Sequence, residues 1–249
     1  MSGALPPLGA LEMTVSAGDG LLLRGILAYP EDPDGGSYPL AVLAHQYPST
    51  ADSYAPLSED LLERGIAVLA FDLRGHGTST SSPSGELVID TPVGFGLEAF
   101  GKAFMASAQR VGFGRIDDDI LRVASWGAVQ NFIDPSRLLL VGASVGGSGA
   151  VLAAPGITGL AGVVTFGAAG IPVFPDGPAR ARKAVETTRA PFLLATSEAD
   201  PFDGLANARG WSEGLKHAQP LVVPGSAHAM AIYYEVRDEV LDFVERVLA

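Results

Sequence analysis

Cysteine is absent from all 249 residues. That excludes disulfides, thiolate metal sites and a thiol nucleophile, while leaving the compartment open. Basic side chains are scarce: 16 Lys and Arg stand against 28 Asp and Glu, for a formal net charge of -12. Nucleic-acid affinity depends on clustered cations, and no basic stripe occurs, so no nucleic-acid partner is expected. The opening, MSGALPPLGALEM, lacks a basic n-region and an apolar h-region. No unbroken apolar run is long enough to span a bilayer, so no membrane partner is expected either. A cytoplasmic location follows as the expectation, with export open if a signal peptide has been removed. Internal repeats, low-complexity tracts and like-charge blocks are missing as well.

What is present is a hydrophobic fraction of 47% in a chain long enough to bury a large core. Two segments, Leu11–Ala17 and Leu21–Tyr29, flank Gly18–Asp19–Gly20 and read as an antiparallel hairpin. After Pro39, short apolar strands alternate with helical spacing. Strands are expected at Leu40–Ala44, Ile66–Phe71, Arg137–Val141, Leu160–Phe166, Ala190–Thr196 and Gln219–Val223. Helices are expected at Tyr54–Arg64, Asp117–Phe132, Val145–Ala154, Leu205–His217 and Ile232–Leu248. Such alternation implies βαβ crossovers in one α/β domain over residues 1–249, with a mainly parallel sheet of about eight strands and helices on both faces. Residues 80–116 break the rhythm, being too long for an ordinary connection. They read either as a peripheral helix over a satellite cluster or as a small lid or pocket wall.

The run Leu138–Val141 ends in Gly142–Ala143–Ser144–Val145–Gly146, a GxSxG sequence. A serine between a strand and the next helix is aimed at the crevice where open α/β sheets bind ligands. Small neighbours let the chain turn sharply and hold the hydroxyl outward, in the manner of a nucleophile elbow. Val145 opens the next helix, so its N–H can face a developing oxyanion. The same glycines, with Gly149, also permit a phosphate-cradling turn of the short-chain dehydrogenase kind. That alternative wants the motif after the first strand, an acid ending the next strand, and a Tyr shortly before a Lys; none of these is found.

A serine hydroxyl needs a base, and the base needs a third group to orient it. Of four histidines, His217 sits late in an expected helix and reads as a surface residue or a dipole partner. His76 lies in a turn, where a structural hydrogen bond is the simpler role, and His45 ends a strand. His228 lies in the loop between the last strand and last helix, at the same sheet edge as Ser144. Asp200, held by Pro201 just past a strand end, is the chosen acid. Asp203, which could instead cap a helix, comes second and Glu198 third.

With Ser144, Asp200 and His228 in that chain order, the sequence resembles the α/β-hydrolase superfamily over nearly its whole length. The run Asp72–Leu73–Arg74–Gly75–His76–Gly77–Thr78–Ser79 is similar to that family's DxRGHGxS turn. Asp134–Pro135–Ser136–Arg137 leading into LLLVGAS resembles the lead-in of dienelactone-hydrolase-like esterases, which themselves use cysteine where this chain has Ser144. The family's oxyanion loop, His-Gly-X, aligns with His45–Gln46–Tyr47, which implies that Tyr47 supplies a backbone N–H beside that of Val145. Gln46 departs from the pattern, and either lines the pocket or is an ordinary polar loop residue.

The resemblance implies a serine hydrolase cleaving small to medium carboxylic esters through an acyl-enzyme, with no cofactor and no metal. Another hydrolase with the same triad (a thioesterase, peptidase, C–C hydrolase or perhydrolase) and a non-catalytic ligand-binding relative are the competing classes. Phe95, Leu97, Phe100, Phe104, Met105, Ile171, Val173, Phe174, Phe202 and Met230 lie near loops that could wall a pocket, with Gln46, Phe202 and Met230 the substrate-binding candidates. Residues 168–189 are too few for a large cap, which implies an open site. An imidazole base predicts a kcat/KM that climbs with pH between about 5 and 8; a flat profile over that range argues against a histidine.

Overall fold

The computed structural model describes residues 8–30 and 36–249. The reading of the opening residues as carrying no leader therefore concerns, in part, residues outside this range. The elements run β1 (Leu8–Ser16), β2 (Leu22–Pro30), β3 (Tyr38–Ala44), α1 (Ala55–Leu62), β4 (Ala67–Phe71), a two-residue pair β5 (Ser81–Ser82) and β6 (Gly85–Glu86), and α2 (Leu97–Ser107). Then follow α3 (Ile116–Ala128), β7 (Ile133–Ala143), α4 (Val145–Ala153), β8 (Leu160–Phe166), α5 (Gly177–Thr187), β9 (Phe192–Ser197), α6 (Gly204–Ser212), β10 (Ala218–Val223) and α7 (Tyr233–Leu248). Eight strands form one sheet in the order β1-β2-β4-β3-β7-β8-β9-β10. Within this sheet only the β1–β2 and β2–β4 pairs are antiparallel. The rest are parallel.

Period-two side-chain alternation divides the strands between two cores. In β3, Leu40, Val42 and Ala44 join the layer that holds α3, α4, α5 and α6, whereas Ala41 and Leu43 join the layer that holds α1 and α7. In β7, Leu138 and Leu140 face the first layer, and Leu139 and Val141 the second. A strand buried on both faces must be apolar at every position, and that is why LLLV reads as an unbroken run. No helix among the described residues is long and apolar enough to cross a membrane.

Several elements differ from expectation: α3 ends at Ala128 and not at Phe132, α5 forms where no helix is expected, and the bounds of α6 and β7 shift. The helix expected to reach His217 stops at Ser212, because Glu213 is extended and Gly214 takes a left-handed φ of 73°. His217 therefore lies in a turn, its ring Nε2 2.8 Å from the Val185 carbonyl, and neither ends a helix nor projects freely. Strand β7 begins at Ile133, earlier than expected, and its pairing with β3 is irregular between Tyr38 and Leu40.

The DLRGHG turn is a structural joint. Both Asp72 oxygens accept backbone bonds, from Ala51 at 3.0 Å and Thr78 at 2.8 Å. Arg74, 1% exposed, donates two bonds to Asp119 and reaches Asp19 and the Val111 carbonyl. His45 and His76 pack edge to face at 4.9 Å. The Leu73 N–H donates to His45 Nε2, so the His45 proton sits on Nδ1, facing the Gln46 carbonyl at 2.8 Å. His76 donates from Nδ1 to the Arg74 carbonyl.

Burial holds the pKa of His45 down at about 3, with the neighbouring His76 adding to the effect. Burial likewise lowers His76 to about 4. In the unfolded chain both titrate near about 6.5. Above that value both are neutral in either state; as pH falls below it, the unfolded chain binds protons that the folded chain refuses, so stability declines towards the folded values. The urea midpoint is therefore expected to drop between pH 7 and 4.5, and to drop less in His76→Gln. A midpoint that is constant over this range contradicts the assignment.

Candidate active site

Ser144 follows directly on β7 and precedes α4, with φ 51° and ψ -121°. A non-glycine residue held there is strained by about 1–3 kcal/mol, so neighbouring contacts must over-determine it. They do. Its N–H donates to Phe166 at 3.0 Å, and its carbonyl accepts from Ser148 and Ala169 at 3.1 Å each. The flanking glycines are forced by crowding: a Cβ on Gly142 would lie 2.5 Å from the Gly146 carbonyl oxygen, and one on Gly146 would lie 2.2 Å from that of Ala44. The sharp turn thus wedges the start of α4 against the ends of β3 and β7.

His228, in the loop after β10, presents Nε2 to the Ser144 hydroxyl at 2.9 Å and Nδ1 to Asp200 Oδ2 at 2.8 Å. The geometry assigns the imidazole proton to Nδ1, where only a donor can meet the carboxylate, which leaves Nε2 free to accept from the serine O–H. The Asp200 side chain is fully buried, and its second oxygen accepts the Phe202 N–H at 2.9 Å. Crossed backbone and side-chain bonds tie the two loops together: Ala199 N–H to Gly225, and Ser197 Oγ to the Ala227 carbonyl at 2.7 Å. Glu198 is exposed and outside this arrangement. Asp203 sits at the start of α6 but does not meet His228.

Two glycines make room for the carboxylate and imidazole, and neither was singled out in the sequence. A Cβ on Gly167 would fall 2.7 Å from Asp200 Oδ2 and 2.8 Å from His228 Nδ1; a Cβ on Gly204 would fall 2.7 Å from the same oxygen. For Gly167 the colliding atoms come from about 30 and 60 positions away, so no local pattern marks it; for Gly204 they belong to Asp200 and Thr196 of the same loop and strand end.

A cavity of about 320 Å³ opens above Ser144. Leu97, Phe100, Phe104 and Met105 of α2 wall it on one side, and Val173 and Phe202 close others. Residues 80–116 thus include a pocket wall. Tyr47 also lines it; its hydroxyl donates to the Asp90 carbonyl at 2.6 Å and its ring packs edge-on to Phe100 and Phe104. Phe202 lies 4.6 Å from the His228 ring. Val145 is the first residue of α4, where an N–H has no intrahelical acceptor.

Other candidates lie elsewhere. Met230, with Ala229 at φ 54° turning the chain inward, is buried in the core beneath α7 and does not reach the cavity. Gln46 does not line it either; its Oε1 is buried without a partner. Ile171 and Phe174 belong to the core, and Phe95 is fully exposed.

Residues 39–155 match the alpha/beta hydrolase fold family. The structure is similar to dienelactone hydrolase from Anabaena variabilis, with a TM-score of 0.67 and 20% identity over 97% of this chain and 99% of that one. It is similar also to the esterase Pf2001 of Pyrococcus furiosus (TM-score 0.67, 16% identity, 100% and 99% covered). An acetyl xylan esterase from Paenibacillus sp. R4 aligns with a TM-score of 0.70 and 16% identity, over 99% of this chain and 86% of that one. At these identities the likeness is one of fold. Protein phosphatase methylesterase 1 of Schizosaccharomyces pombe is 35% identical over 86 residues, 32% of this chain; the match spans only 24% of that protein.

Gly204→Ala is expected to lower kcat/KM by about tenfold or more, because the new methyl must displace the Asp200 carboxylate that orients His228. Gly210→Ala, in the same helix with open space around its Cβ position, should keep full activity and gain roughly 0.5–1 kcal/mol of stability. Equal activity in the two variants contradicts the steric account.

Proposed function

The chain has the α/β-hydrolase fold, and on that premise we propose that it is a serine esterase acting on small to medium carboxylic esters through an acyl-enzyme. The observation that carries this reading is the continuous relay from the Ser144 hydroxyl through His228 to Asp200, at 2.9 and 2.8 Å. Ser144 Oγ attacks the ester carbonyl while its proton passes to His228 Nε2. Asp200 stabilises the imidazolium and keeps it oriented. The carbonyl oxygen becomes an oxyanion that the N–H groups of Val145 and Tyr47 stabilise. Collapse expels the alcohol, which takes the proton from His228. Water then gives a proton to the same nitrogen as it attacks the acyl-enzyme, and the acid leaves with Ser144 restored.

The cavity of about 320 Å³ lies at the small end of ligand pockets, about 300–1,000 Å³, and this supports the size limit. A fluorophosphonate probe should label the protein, and Ser144→Ala should abolish both the label and turnover. Across esters, thioesters and amides with two to twelve acyl carbons, short or medium esters should be the best substrates. A maximum on the longest chains, or on thioesters or amides, overturns the substrate assignment; an unlabelled wild type overturns the serine hydrolase itself.

A further inference from the structure

The cavity wall is apolar and aromatic save for the Ser144 hydroxyl, the tethered Tyr47 hydroxyl and one ionisable side chain, Asp203. Among the described residues no lysine or arginine lines it, and His228 stands behind Ser144 and Phe202. Asp203 occupies the N-cap position of α6, where an aspartate ordinarily accepts a helix N–H, yet its side chain makes no such bond. Among the described residues no hydrogen bond or ion pair engages its carboxylate, whereas Asp19, Asp60, Asp90, Asp117 and Asp119 each meet an arginine. Its φ is 65°, a left-handed conformation uncommon outside glycine. An exposed carboxylate with no hydrogen-bond or ion-pair partner thus belongs to a residue on the rim of the space in which the group attached to the scissile ester must sit.

We infer that this site selects its substrates by charge: Asp203 admits esters whose bound group is cationic or neutral and rejects those carrying a carboxylate. The inference depends on the esterase reading, since it concerns the group bound while Ser144 reacts. Two effects point the same way. A carboxylate held a few ångströms from Asp203 is repelled and a cation attracted, an effect that solvent weakens at this exposed position and that is largest at low salt. The rings of Tyr47, Phe100, Phe104 and Phe202 surround the same space, and aromatic faces favour a quaternary ammonium while offering nothing to an anion. The net charge of -12 biases diffusional encounter in the same direction. Asp203 is thus a specificity-determining residue and takes no part in moving the serine proton.

The test uses three esters of one phenol whose equally long acyl chains end in tert-butyl, trimethylammonium or carboxylate, each rate divided by that ester's rate with hydroxide. At low salt kcat/KM should follow the order cationic, neutral, anionic, with the first exceeding the last by roughly thirtyfold or more. Asp203→Asn keeps the shape, and asparagine tolerates the left-handed backbone; it should shrink that ratio to about threefold. Glu239→Gln removes one charge from the exposed face of α7 and should leave the ratio as in the wild type. Equal rates for cationic and anionic esters, or a full ratio surviving in Asp203→Asn, overturn the inference while leaving the esterase intact. Failure to cleave any of the three, with no fluorophosphonate label on Ser144, overturns both.

Discussion

The structure depends on a steric constraint at one corner: where β7 ends and α4 begins, three backbone segments come so close that positions 142 and 146 have no room for a side chain. Ser144, between them, adopts a conformation that an unconstrained serine would leave. Three backbone hydrogen bonds, to β8, to the loop that follows it and to α4, prevent it from doing so. The strain is local, but the support comes from the centre of the sheet, where β3, β7 and β8 are buried on both faces. The hydroxyl is therefore positioned from the buried centre of the sheet, and its freedom to relax is set by core packing.

The carboxylate and imidazole obey a different logic. They sit on loops, and loops alone do not hold a group to a fraction of an ångström. Here the loops after β9 and β10 are bonded to one another, and Gly167 and Gly204 bring backbone up against the Asp200–His228 pair. Crowding substitutes for secondary structure. The difference between the histidines follows from the same packing. His45 and His76 are enclosed by aromatic rings and backbone and kept neutral by burial. His228 has one nitrogen on a carboxylate, the other on the Ser144 hydroxyl, and a partly open side chain, an arrangement that fits the role of base proposed for it.

Much of this architecture was legible in the residues. Alternating apolar runs and helical spacing report burial directly, so the strand order along the chain, most of the helices, the parallel sheet and the serine at the strand–helix corner could be read in advance; α5, with its few apolar residues, could not. The relative placement of Ser144, Asp200 and His228 followed because parallel strands put all their C-terminal loops on one edge. What escaped depends on contacts between distant segments. Hydrophobic character places Met230 near the site as readily as in the core; only the turn at Ala229 decides for the core. The early end of α6 was hidden because Gly214 could be a tolerated helical glycine as easily as a stop. Gly167 looked like loop punctuation, since its necessity lies in atoms of Asp200 and His228.

The wall of the cavity is joined to this rigid base by polar ties. The Tyr47 hydroxyl reaches the Asp90 carbonyl, Ser107 bonds the Asp90 N–H, and Arg110 meets the Val88 carbonyl and the Asp90 carboxylate. These bonds fasten the start of the 80–116 segment to its own helix α2 and to β3's loop, without touching Ser144, His228 or Asp200. The relay and the wall thus respond to different substitutions. A change in α2 acts first on the cavity wall and a methyl at position 167 or 204 first on the Asp200–His228 pair; the two meet at Phe202, which bonds Asp200 and packs on both His228 and Phe100. Such separation lets one α/β framework accept new ligands by varying a single inserted segment. It also explains why the fold could be read from the sequence more fully than the substrate: the relay is encoded in strand ends, which pattern reveals, and the wall in side-chain shape, which it does not.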